Sequence, residues 1–212
     1  MGRARDISKV FSSNSTLSNS YLTLASASTT YAPVAAGGLV QINPSGVTSD
    51  VGSSSKDTNG TVSFSSIGAL FINGIFSSTY DNYKIIFNTT SSSTGNNITF
   101  RFVTNGVENS NAVYRTRSFI QSDSGTPGAF GIGNSQTFLY LCPMEVIGGG
   151  MSIDIYRPFL SDDTYISGTA NNKGYGTVSA GCFEGNTSFT GVRLSVDSGN
   201  ISGSCQIYGY KK

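Results

Sequence analysis

The chain has no histidine and no tryptophan, and only 12% of its 212 residues are charged. Each shortage excludes something. Without histidine there is no Ser-His-Asp triad and no imidazole general base, and the usual zinc ligand sets cannot be assembled. Soluble domains average about 25% charged residues, so helices held by ion-pair ladders are not expected. Cysteine is scarce as well. The three thiols, at 142, 182 and 205, are odd in number and widely spaced, which argues against a disulfide framework. Cys205 alternates with Ile201 and Ile207 and is expected to be a small buried core residue. No run is apolar enough to span a membrane. The start Met1-Gly-Arg-Ala-Arg-Asp6 leads into no signal-peptide core, and Asp6 breaks the myristoylation pattern. The expectation is synthesis in a cytosol, with any exit by a route other than secretion.

What is present points to strands. Glycine is high at 26 residues, and 13 Phe and 11 Tyr supply the bulk for a core. Serine, threonine and asparagine provide the polarity that charge normally would. This composition suits many short strands joined by tight turns. The net charge of +1 gives a nucleic-acid partner little electrostatic support. Arg115 and Arg117 share a strand face and read as a solvated pair.

Along the chain, Arg3, Arg5, Asp6 and Lys9 cluster at the start, and Ala4, Ile7, Val10 and Phe11 recur at helical spacing. A helix this short is marginal alone, so it either frays or docks on a partner. Residues 12–60 are rich in Ser, Thr, Asn, Gly and Ala. Within them Tyr21-Leu-Thr-Leu-Ala-Ser-Ala-Ser28 echoes Tyr31-Ala-Pro-Val-Ala-Ala-Gly-Gly38 ten residues later. Spaced aromatics with small residues between them cannot build a core alone. They can bury their rings in a symmetric bundle of copies, or form a flexible linker. Residues 43–60, with Pro44, Gly46, Gly52 and Asn59-Gly60, read as a linker or hinge.

From Thr61 the period becomes two. Val62 and Phe64, then Tyr83, Ile85 and Phe87, then Ile98, Phe100 and Phe102 alternate with polar neighbours. Met151, Ile153 and Ile155 do the same, as do Val192, Leu194 and Val196. Ile75–Phe87 combines a chain reversal with the start of a core strand, and Tyr80 and Tyr83 are expected to hold the domain together. Asp197-Ser-Gly-Asn200 reads as the turn of a hairpin joining 192–196 to 201–210. Nine or ten strands at sandwich-like spacing predict an all-β, antiparallel two-sheet β-sandwich of jelly-roll type. A short N-terminal helix and an extended stalk precede it. The predicted divisions are a leader over 1–20, a stalk or linker over 21–60 and the sandwich over 61–212.

The search for chemistry returns no catalytic, cofactor or metal residues. No Gly-x-Ser-x-Gly elbow or P-loop occurs. Ser55-Lys56 lies in the predicted linker, whereas a Ser–Lys dyad needs a buried lysine. Asp162-Asp163 is the one adjacent acidic pair, a thin basis for a glycosidase or a calcium site. Sequons at Asn88, Asn97 and Asn186 are the chance product of composition. Tyr114, Tyr140, Tyr165 and Tyr175 could stack on sugars or be half-buried in the sandwich.

Several phrases resemble a known group. Met1-Gly-Arg-Ala-Arg-Asp-Ile-Ser-Lys9 resembles the leaders of virion proteins of tailed phages, notably phages of aquatic bacteria. Phe76-Ser-Ser-Thr-Tyr-Asp-Asn-Tyr-Lys84 is similar to a phrase recurring there, as are Asn186–Gly191, Ser198–Gly203 and Tyr208-Gly-Tyr210. The Tyr21–Tyr31 stretch is similar to trimeric stalk segments of phage fibres. The resemblance covers both ends and the first third of the β domain, and is weakest over 105–180. It implies a non-enzymatic structural protein of the virion, made in the bacterial host cytoplasm. In that reading Arg3, Arg5, Ile7, Val10 and Phe11 dock on other virion proteins of the tail, neck or capsid. Tyr21, Leu22 and Tyr31 join a homotrimeric stalk, and the sandwich meets host surface polysaccharide. A tail fibre or short spike is the leading expectation. A capsid-decorating or collar protein is the alternative, and a glycan depolymerase a third. Neither a nucleic-acid partner nor membrane insertion is expected.

Overall fold

Alternating burial runs through nearly every strand from Val62 onward, and it builds two stacked sheets. The computed structural model describes residues 38–93, 96–122, 125, 127–144 and 148–212. The predicted leader helix and the stalk aromatics lie outside these residues. Among the described residues there is no helix, and so none long and apolar enough to cross a membrane. Leu39–Lys212 forms one compact unit.

The strands are β1 (Leu39–Gln41), β2 (Gly46–Ser49), β3 (Ser53–Lys56), β4 (Val62–Ile67), β5 (Ala69–Asn73), β6 (Asn82–Ser92), β7 (Asn96–Thr104) and β8 (Val107–Glu108). Then follow β9 (Tyr114–Ser122), β10 (Pro127–Gln136), β11 (Leu139–Met144), β12 (Gly149–Tyr156), β13 (Thr164–Asn172), β14 (Tyr175–Phe183), β15 (Gly191–Val196) and β16 (Ile201–Tyr210). The large sheet runs β10-β9-β14-β13-β12-β6-β16-β4-β3, with β1 also on β16. The small sheet runs β11-β7-β15-β5-β2, with β8 on β7. All pairings are antiparallel. The predicted two-sheet antiparallel sandwich is therefore present. Its ten- and six-stranded sheets are larger than an eight-stranded jelly roll, because short polar strands add to both.

The core lies between the sheets. Phe102 sits at the centre of an aromatic group, with ring centroids 4.6 Å from Phe189, 5.0 Å from Phe100 and 6.2 Å from both Tyr114 and Phe183. Phe64 stacks on Phe87 at 5.1 Å. Tyr83, Ile85 and Phe87 all face inward, as do Ile201, Cys205 and Ile207 on the neighbouring β16. Each fully buried Phe, Ile or Leu contributes about 1.5–3 kcal/mol. Tyr80 is half-buried and covers Gly209, where a Cβ would stand 2.4 Å from the ring. Any side chain at 209 would displace that ring.

Two sequence expectations need correction. The first is the linker at 43–60, which is woven into the sandwich as β2 and β3, with β1 just before it. The Asp50 carboxylate accepts backbone N–H bonds from Val51 at 2.8 Å, Gly68 at 3.0 Å and Ala69 at 2.7 Å. Gly52, at φ +68°, packs too close to the Ser65 carbonyl to carry a side chain. Lys56 bonds Asn43 at 2.7 Å and the Pro44 carbonyl at 2.5 Å. These polar residues form strands because edge pairing uses the backbone and needs few apolar side chains. The second correction is the hairpin at 197–200. β15 pairs with β5 and β7 in the small sheet, whereas β16 pairs with β4 and β6 in the large one. The turn is an arch that crosses the core. Asp197 fixes it by accepting the Asn97 backbone N–H at 2.9 Å.

Candidate functional site

Because Tyr83, Ile85 and Phe87 face the core, Lys84, Ile86 and Asn88 must face out. The same parity exposes Gly150, Ser152, Asp154 and Tyr156 on β12, and Tyr165, Ser167, Thr169 and Asn171 on β13. Strand register places these side chains in rows across the large sheet. One row is Asn88, Gly150, Asn171. The next is Ile86, Ser152, Thr169, Val178, Phe119. The third is Lys84, Asp154, Ser167, Ala180, Arg117, and Tyr156 lies opposite Tyr165 beyond it.

Two open depressions, of about 280 and about 390 Å³, adjoin on this face and share Ser152 and Thr169. At one end, Lys84 Nζ lies 2.8 Å from Asp154 Oδ1 and 3.0 Å from Oδ2, and donates to Ser152 Oγ at 3.1 Å. The Tyr210 hydroxyl also donates to Asp154. Burial, then the bond to the Asp154 carboxylate, raises the Tyr210 pKa above its ordinary value. The charged pair is closed on itself. At the other end, the Asn88 and Asn171 carboxamides flank Gly150. Their Oδ1 atoms lie 3.5 and 3.3 Å from where a Gly150 Cβ would stand. Neither amide is engaged by another described side chain or backbone group, and both residues are exposed. Val178 and Phe119, 60% and 66% exposed, add an apolar flank.

Other polar clusters among the described residues pair with themselves. On the small sheet, Glu108 Oε2 lies 2.9 Å from Arg101 and 3.2 Å from Arg193. The guanidinium of Arg101 lies 5.7 Å from the Phe138 ring, and that of Arg193 lies 5.4 Å from the Phe71 ring. Asp162 pairs with Arg157, and Asp163 accepts the Gly185 N–H at 3.0 Å. The Asp163 N–H, then Arg157, holds the Asp162 carboxyl below its usual range. The acidic pair thus braces its own loop and ties it to the loop after β14.

Other residues singled out in sequence separate here. Tyr114 is buried with its hydroxyl in backbone bonds, so it offers nothing to a ligand, while Tyr165 is 46% exposed on the large-sheet face. Tyr140 and Tyr175 are half-buried. Arg115 pairs with Glu184 at 2.6 Å, and Arg117 bonds Asn134 at 2.8 Å. Lys56 is spent on Asn43 and the Pro44 carbonyl. Asn88 entered only as a chance sequon, and Asn171 was not singled out. Each follows a core residue in a period-two strand, but their meeting across Gly150 depends on strand order. Arg3, Arg5, Ile7, Val10, Phe11, Tyr21, Leu22 and Tyr31 lie outside the described residues.

No protein-family model and no curated protein sequence matches the chain. Among solved structures it is similar to a seed lectin of Lotus tetragonolobus, with 11% identity, 79% of this chain and 97% of that chain covered, and a TM-score of 0.35. The Ca2+-bound exoplasmic/lumenal domain of VIP36 gives 7% identity, 81% and 82% coverage and a TM-score of 0.35. Peanut lectin with a nine-residue peptide gives 8% identity, 81% and 97% coverage and a TM-score of 0.31. Overlaps at this level assign neither a ligand nor a site to this chain.

Proposed function

We propose that the chain is a non-enzymatic structural protein of a tailed-phage virion, a tail-fibre or short-spike appendage whose sandwich contacts host surface glycan. The observation that carries the glycan part is the outer face of the large sheet. It offers open troughs, unengaged amides, hydroxyls and tyrosines, and its charged pair is closed on itself. Such a face suits many weak hydrogen bonds to a polyhydroxylated chain better than it suits one enclosed small molecule. The virion part rests on the resemblance of the leader and of Phe76–Lys84 to phage virion proteins. Trimerisation through Tyr21, Leu22 and Tyr31 would present three such faces together and raise avidity for a repeated glycan.

Gold-labelled antibody against the sandwich, applied to intact particles, tests the placement. Label on tail appendages supports the fibre reading. Label spread over the head favours the capsid-decorating alternative, and absence of label from particles overturns both.

A further inference from the structure

The rows on the large sheet differ in what they ask of a ligand. The Lys84–Asp154 pair is satisfied internally, with Lys84 bridging both carboxylate oxygens and Ser152. No other charged side chain lines either depression. A sugar carboxylate or phosphate entering the trough would therefore find no unpaired cation to repay its lost hydration. The groups left over are neutral. A carboxamide offers donors and an acceptor together, which matches a sugar hydroxyl that also does both. Asn88 and Asn171 converge on one notch because Gly150 between them has no side chain. Ser152 and Thr169 continue the polar track in the next row, and Ile86 and Val178 edge it with apolar surface for the C–H faces of a ring. Along β12 from Gly150 to Asp154 the track is about 13 Å long at the rise of an extended strand. That is enough for more than one sugar ring in line.

From this we infer that the trough over β6, β12 and β13 binds a neutral glycan chain, with the Asn88–Gly150–Asn171 notch as its anchoring subsite. The inference rests on the glycan-contact reading above and deepens it. It names the ligand class as uncharged and fixes the place on the sheet. A sugar hydroxyl seated in the notch meets both amides, and the chain then runs toward Ser152 and Thr169. Filling the notch should close the site without disturbing the fold. A Cβ at 150 would meet only the far ends of two flexible Asn side chains, at 3.3 and 3.5 Å.

The test is a glycan array probed with the 212-residue chain, carrying neutral hexose and N-acetylhexosamine oligosaccharides beside uronate-containing ones. Gly150→Val, Asn171→Ala and the surface control Val107→Ser are run in parallel, and thermal melts check folding. Neutral ligands bound by the wild type and by Val107→Ser, lost in Gly150→Val and weakened about tenfold in Asn171→Ala, support the site. If Gly150→Val fails to fold, Asn171→Ala alone decides between support and refutation. Neutral binding that survives the substitutions, or a preference for uronates, overturns this site and leaves the glycan-contact reading standing. No wild-type binding to any saccharide overturns both.

Discussion

The hydroxyl of Tyr83 is held twice by Ser77: it donates to the Ser77 carbonyl at 2.8 Å and accepts the Ser77 backbone N–H at 2.9 Å. Tyr83 is fully buried, so one side chain closes the 75–82 reversal and enters the core at the same time. Tyr83→Phe keeps the ring and orphans the Ser77 N–H. It should cost about 1–3 kcal/mol. Urea unfolding should show a lower midpoint with an unchanged slope. Tyr114 repeats the device, accepting the Phe102 N–H at 3.1 Å and donating to the Asn109 carbonyl at 2.8 Å.

The Asp50 carboxylate gathers three backbone N–H groups from two separate segments. Asp50→Ala removes all three bonds and should cost about 2 kcal/mol, since bonds to a charged acceptor are the stronger kind. Limited proteolysis gives a local readout. Residues 43–60 should resist cleavage in the wild type and become the first site cut in Asp50→Ala.

Rising alkaline pH should lower the stability of the domain in two steps. Burial pushes the Cys205 thiol up to about 12. In the unfolded chain it ionises near 8.5, so between those values the unfolded state releases a proton that the folded state keeps. The contribution is complete below the unfolded value. It falls by about 1.4 kcal/mol per pH unit as pH rises toward 12. Burial also raises Tyr83 and Tyr114, which adds a further loss above about pH 10. Cys205→Ala should flatten the first part of this decline, measured as urea midpoint against pH. An equally steep fall in that variant between pH 9 and 10, on the order of one pH unit above the free thiol value, would assign it to other groups.

Neutral recognition has a salt signature. Affinity for a neutral oligosaccharide bound by the wild type should change by less than about twofold between roughly 0.05 and roughly 0.5 M NaCl, because no exposed ion pair forms with the ligand. A steep weakening, followed by titration calorimetry, would point to the arginines of β9 as the contact surface.

The core was legible because Tyr83, Ile85 and Phe87, and likewise Ile98, Phe100 and Phe102, carry the period-two signal that burial of one face demands. Cys205 was legible for the same reason. Ser53–Lys56 was not, since an edge strand pairs through its backbone and its side chains carry no apolar pattern. The 197–200 turn announced a reversal truly. A polar turn does not record whether the strands it joins lie side by side or face to face, and here they face each other across the core. Asn88 and Asn171 could not be paired from sequence, because the order β6-β12-β13 is a property of the whole sheet.

The most direct test exposes the 212-residue chain to envelope polysaccharide purified from the bacterial host of the proposed virion, with binding and reducing ends measured together. The account predicts saturable binding, no release of reducing ends, and loss of binding in Gly150→Val. Absence of binding, or steady release of reducing ends by the wild type, would contradict it.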